Sequence, residues 1–117
     1  LVSNLTLADE ICYWYRRRMR IETFFSDQKS RGFHIHKCHV SAPSRLARIL
    51  IAACLAYIWM IYLGTLTLET GLVSTIHRSR RCDLSLFQLG LDFLDHCLNQ
   101  ALEIHFELVL PREYLFA

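Results

Sequence analysis

Four residues between positions 15 and 29 have the types and spacing that phosphodiester chemistry uses. Tyr15, Arg18, Glu22 and Lys29 lie at offsets of three, seven and fourteen from the tyrosine. On a helix turning about 100° per residue they fall within a ~60° arc of one face. A carboxylate flanked by fixed cations can hold a divalent metal that activates a water or a sugar hydroxyl, while the arginine and lysine grip neighbouring phosphates. Spacing by itself favours a plainer reading. In that reading Glu22 pairs with Arg18, four residues before it, as an ordinary helix ion pair.

The element that must carry these residues is predicted as a helix from about Thr6 to Ser30. Thr6 and Asp9 stand at the spacing of a capping box, and no glycine or proline intervenes until Gly32, which stops it. The opposite side carries Tyr13 and Phe24, with Trp14, Ile21 and Phe25 on its flank, as anchors to a core. Phe33 to Val40 reads as a connection. A second helix follows, with Ser41 as its cap and Pro43 in the first turn, where a missing N–H costs little. Its stretch from Ile49 to Leu68 has no charged residue and has the length of a membrane span. Gly64, Thr65 and Thr67 weaken the last turns, so the helix is expected to end near Gly64 as a buried core helix. Tyr57 and Tyr62 fall inside the run rather than both at its ends, which also counts against a span. A third helix opens at Ser85, where Gln88 completes an S-x-x-Q capping box. Its apolar positions run from Leu86 through Leu89, Phe93 and Cys97 to Leu102 at helical spacing. Gly71 to Cys82 reads as a polar, basic loop, and Pro111 ends a tail of mixed periodicity. No repeat or linker divides residues 1–117, so a single, mostly helical unit is expected.

Composition narrows the function classes. With 53% apolar and 21% charged residues, the chain is neither disordered nor of low complexity. The net charge of +2 is too small to argue for nucleic acid, but its distribution is informative. Arg16, Arg17, Arg18 and Arg20 crowd together, and Arg78, Arg80 and Arg81 form a second cluster. Clustered arginine suits bidentate phosphate contacts and equally suits a solvated surface. Five cysteines, odd in number and without a C-x-x-C pair, point to reduced thiols in a cytoplasmic protein. The string His34, His36, Cys38, His39 looks like a metal site, but it has no second ligand pair at zinc spacing and reads as a connection. No serine–histidine–aspartate grouping or phosphate-binding glycine loop is present.

Tyr15-x2-Arg18-x3-Glu22-x6-Lys29 resembles the Y-R-E-K signature of bacterial DDE transposases, notably the insertion-sequence group typified by IS-four-like elements. The surrounding words IETFFSDQKSRGF, SAPSRLARILIAACLAYIWMIYLG and RRCDLSLFQLGLDFL are similar to that group's C-terminal part, over roughly Leu5 to Leu94. The resemblance implies that the chain is the C-terminal helical part of an RNase H-like α/β catalytic domain whose strands are largely missing here. It implies that Glu22 is the third acidic ligand of a catalytic Mg2+ (or Mn2+). Arg18 and Lys29 would contact DNA phosphates, and Tyr15 would support that contact. The implied reaction is nicking by water at the end of a mobile element, then attack of the freed 3′-hydroxyl on target DNA. The implied partners are double-stranded DNA and further copies of the transposase, in the bacterial cytoplasm and away from membranes. The family's two strand-borne aspartates have no match: only Asp9 precedes Tyr15, in the same predicted helix. The chain alone is therefore expected to be inactive. Two other readings stay open, a non-enzymatic helical module that binds DNA or a partner, and a small membrane protein built around Ile49 to Leu68.

Overall fold

A computed structural model describes residues 4–77, 83–104, 106 and 107. The described residues are mostly helical and contain no β-strand, as the helical periodicities led us to expect. Contacts cluster within Leu1–His39 and within Val40–Ala117, and each unit is taken in turn.

The first unit is built on α1, Ala8–Ser26. It starts two residues later than Thr6. Leu7 is the N-cap in extended conformation and no side chain caps the helix, so the Thr6–Asp9 box does not form. Asp9 and Glu10 nonetheless favour this end, because carboxylates in a first turn face the positive pole of the helix dipole. After Ser26 the chain does not continue as an α-helix. Asp27–Arg31 form a π-helical turn, closed by hydrogen bonds from the Gly32 and Phe33 N–H groups to the Asp27 carbonyl oxygen. Gly32 is the stop, as its position suggests. Asp27 and Gln28 are buried here, whereas α1 itself contains no buried residue. The connection that follows holds a short 3-10 turn at Ile35–Lys37, entered through His34 in the left-handed region at φ 52°.

The second unit pairs two long helices. α2 spans Pro43–Glu69 with Pro43 at its start, but Ala42 rather than Ser41 is the N-cap and makes no side-chain bond. It runs past Gly64, contrary to the expected end there, for two physical reasons. The Thr65 and Thr67 hydroxyls donate to the Ile61 and Leu63 carbonyl oxygens at 2.9 and 2.7 Å, so neither polar group breaks the helix. Gly64 is needed for packing: a Cβ there would collide with the Leu86 carbonyl. The true stop is Gly71, at φ 71°. Leu72 N–H bonds to Thr67 O and Gly71 N–H to Leu68 O, the paired bonds of a Schellman end.

A single turn, α3 at Val73–Ile76, leads toward α4, Leu86–Asn99. The basic cluster Arg78, Arg80 and Arg81 lies outside the described residues. Ser85 is the N-cap of α4 as read from the sequence, with Oγ accepting from Gln88 N–H at 3.2 Å. The reciprocal half of the box is replaced: the Gln88 amide instead donates to Asp92 Oδ1 at 2.8 Å. The helix ends at Asn99, earlier than its periodicity suggests, because Ala101 adopts φ 51° and closes a second Schellman pair through Leu102 N–H to Cys97 O.

The core lies between α2 and α4, where Met60, Leu63, Phe87, Leu89, Phe93 and Cys97 are buried. Tyr57 stacks on Phe87 at 5.0 Å between ring centroids. Only the C-terminal half of α2 is buried in this way. Leu50, Ile51 and Leu55 in its first half are 43%, 63% and 49% exposed, the apolar surface that a core helix leaves open where the strands it would pack on are not among these residues.

Candidate nucleic-acid interface

α1 brings Arg18 and Glu22 together: Arg18 Nη2 lies 3.1 Å from Glu22 Oε1, with the two side chains 66% and 50% exposed. Four-residue spacing puts their Cβ atoms one turn apart on the same face, so the contact is local to the helix. Tyr15 stands one turn before Arg18 and is also exposed. Lys29 is exposed as well, but it belongs to the π-turn rather than to α1. A π-helix winds more slowly per residue than an α-helix, so the ~60° arc computed for one uninterrupted helix does not extend unchanged to Lys29.

The neighbouring arginine takes a different partner. Arg17 Nη1 donates to the Tyr13 hydroxyl at 3.0 Å, and its guanidinium lies 5.6 Å from the ring centroids of both Tyr13 and Trp14. Arg17 is thus held over aromatic rings, while Arg18 is turned to a carboxylate. The aromatic flank does not act as an anchor in the way the sequence suggests: Tyr13, Trp14, Ile21 and Phe25 are each more than half exposed.

Sequence reasoning missed the link between the π-turn and the histidine string. His36 Nδ1 lies 2.8 Å from the Lys29 carbonyl oxygen. Because a carbonyl only accepts, Nδ1 carries the hydrogen. His34 and His36 also meet edge-on, 5.9 Å between ring centroids. The available signal was the position of His36 seven residues after Lys29, just beyond a glycine stop, which returns the chain toward the turn it has left. Among the described residues no group of three His, Cys, Asp or Glu side chains is placed to hold a metal ion, and Cys38 is an exposed free thiol.

That observation bears on Glu22. A hard divalent cation takes six or more oxygen ligands, and a single half-exposed carboxylate already paired with an arginine does not supply such a site. The described residues do not by themselves fit a catalytic metal.

What the first unit offers is an exposed helical face of alternating cations and a carboxylate, suited to contacting a phosphate backbone. Residues 2–59, just under half of the chain, match the family model described as Transposase DDE domain. The matched segment contains Tyr15, Arg18, Glu22 and Lys29, and it supports a DDE-type transposase, a family of nucleotidyl-transfer enzymes whose substrate is DNA and which generally use divalent metals. No curated protein and no solved structure matches the chain.

Proposed function

We propose that the chain is the C-terminal helical part of an IS-four-like transposase, in which the α1 face carries a Y-R-E-K motif. Glu22 is then the third acidic residue of the catalytic centre, with two aspartates supplied by polypeptide other than these residues. Arg18 and Lys29 contact phosphates of double-stranded DNA, and Tyr15 supports the Arg18 contact. The observation that carries this reading is the exposed Arg18–Glu22 pair inside the segment that matches the transposase family. By itself the chain cleaves no DNA, because one carboxylate does not hold the metal, Mg2+ or Mn2+, that the family's chemistry uses.

DNA binding by the chain itself tests the interface. Binding of a labelled mixed-sequence duplex weakens in Arg18→Ala and Lys29→Ala, and each variant flattens the log–log salt dependence by about 0.9 for the phosphate contact it loses. Unchanged binding and slope in both variants contradict the proposal.

One observation favours a second reading. α2 is 27 residues long with a mean hydropathy of 2.1 over its most apolar window, of which 22% is buried, so by length and composition it qualifies as a membrane-crossing helix. That reading predicts partition of the chain into a detergent phase. The transposase reading predicts retention in aqueous buffer, with the exposed α2 surface covered by other transposase segments or by another copy.

A further inference from the structure

We propose that His36 is a positioning residue for Lys29, holding the π-turn that presents the lysine to DNA. This rests on the reading of Lys29 as a phosphate contact and adds a residue to it. A π-turn is a rare interruption of helical winding that is frequently found at functional sites. Here it occupies Asp27–Arg31, with Lys29 at its centre. Its backbone carbonyls lie at the C-terminal end of a helix, where the last carbonyl groups have no partner further along. His36 supplies one: its Nδ1–H donates to the Lys29 carbonyl oxygen at 2.8 Å.

The geometry that allows this is specific. Gly32 ends the turn, His34 reverses the chain at φ 52°, and the 3-10 turn Ile35–Lys37 then places the His36 ring against the turn just left. Asp27 and Gln28, the first two residues of the turn, are buried, so the turn is held by their burial and by the imidazole on the Lys29 carbonyl, and the Lys29 side chain is left exposed. With its carbonyl held, the lysine ammonium searches a smaller volume, which lowers the entropic cost of meeting a phosphate.

The test uses the whole chain and a fluorescein-labelled mixed-sequence DNA duplex, with anisotropy titrations across a salt series. Lys29→Ala flattens the log–log salt slope by about 0.9. His36→Phe, which keeps a flat ring but has no donor, reproduces most of that loss. In a Lys29→Ala background it adds nothing, since both changes act through the same lysine–phosphate contact. His36→Asn restores wild-type slope and affinity, because the asparagine amide nitrogen occupies the place of Nδ1. Should His36→Phe lose its helical circular dichroism, His36→Leu takes its part, since it also has no donor. A wild-type slope in the donor-less variant, with Lys29→Ala still defective, overturns the positioning role alone. No effect of Lys29→Ala, or no binding by the wild type, overturns the DNA contact and the positioning role together.

Discussion

Arg18 Nη2 and Glu22 Oε1 lie 3.1 Å apart on a face of α1 that is open to solvent. An exposed pair of this kind contributes little to folding, because solvent screens it and both side chains lose freedom on meeting. Its residues are therefore free to serve a partner. A phosphate approaching Arg18 competes with Glu22 for the guanidinium, and a cation approaching Glu22 competes with Arg18 for the carboxylate. The two functions proposed for this face are thus coupled through one contact.

Glu22→Gln is expected to change folding stability by no more than about 1 kcal/mol, the upper range for an exposed ion pair. Denaturant unfolding followed by circular dichroism measures it. A much larger loss would show that Glu22 is a structural residue and remove the reason for assigning it a catalytic one.

The crossing of α2 and α4 depends on two glycines that face each other's helix. A Cβ at Gly64 meets the Leu86 carbonyl, and one at Gly90 meets the Met60 carbonyl. Backbone cannot move aside as a side-chain tip can, so Gly64→Ala and Gly90→Ala should each destabilise the second unit by about 1–3 kcal/mol, seen as a lower melting temperature. Alanine at Gly71 also destabilises, but through its positive φ, since nothing stands within reach of a Cβ there.

Stability of the second unit should fall in alkali. Burial raises the Cys97 thiol above its ordinary 9.0. Burial also raises the Tyr62 phenol above 10.0, assisted by the charge and hydrogen bond of Glu107 and the charge of Glu69. In both cases the folded state holds the proton more tightly than the unfolded chain. Their contribution is full below pH 9 and is lost as pH rises through the folded values. Melting temperatures from neutral pH upward should decline beyond this point, and less steeply in a Tyr62→Phe, Cys97→Ala variant. A decline of equal steepness in that variant assigns the alkaline loss to other groups.

The exposed residues Leu50, Ile51 and Leu55 on α2, together with Trp14, Ile21 and Phe25 on α1, leave apolar surface that a soluble chain tends to cover. Size-exclusion chromatography in aqueous buffer should show concentration-dependent self-association, relieved by Ile51→Glu and Leu55→Glu. A monodisperse monomer that melts cooperatively would contradict this.

Much of the helical framework was legible because it is local. A run without glycine or proline located α1, an uncharged apolar run α2 and apolar spacing α4, and Ser85 and Pro43 marked starts that the structure confirms. The ends were harder, for reasons found between residues distant in sequence. Gly64 looks like a stop when read alone and is a packing contact once Leu86 lies against it, while Gly71 is the real stop. The pairing of Arg18 with Glu22 followed from four-residue spacing. The π-turn did not, since it depends on burial of Asp27 and Gln28 and on a return of the chain to Lys29 that no periodicity records.

The central claim is that Glu22 belongs to a catalytic centre for DNA strand cleavage. Its most direct test is nicking of the mobile element's terminal DNA, in the presence of Mg2+, by the transposase polypeptide that carries this segment, wild type against Glu22→Gln, with binding of the same DNA measured in parallel. The account predicts that the variant binds the DNA and leaves it uncut. Cleavage by the variant at the wild-type rate would contradict it.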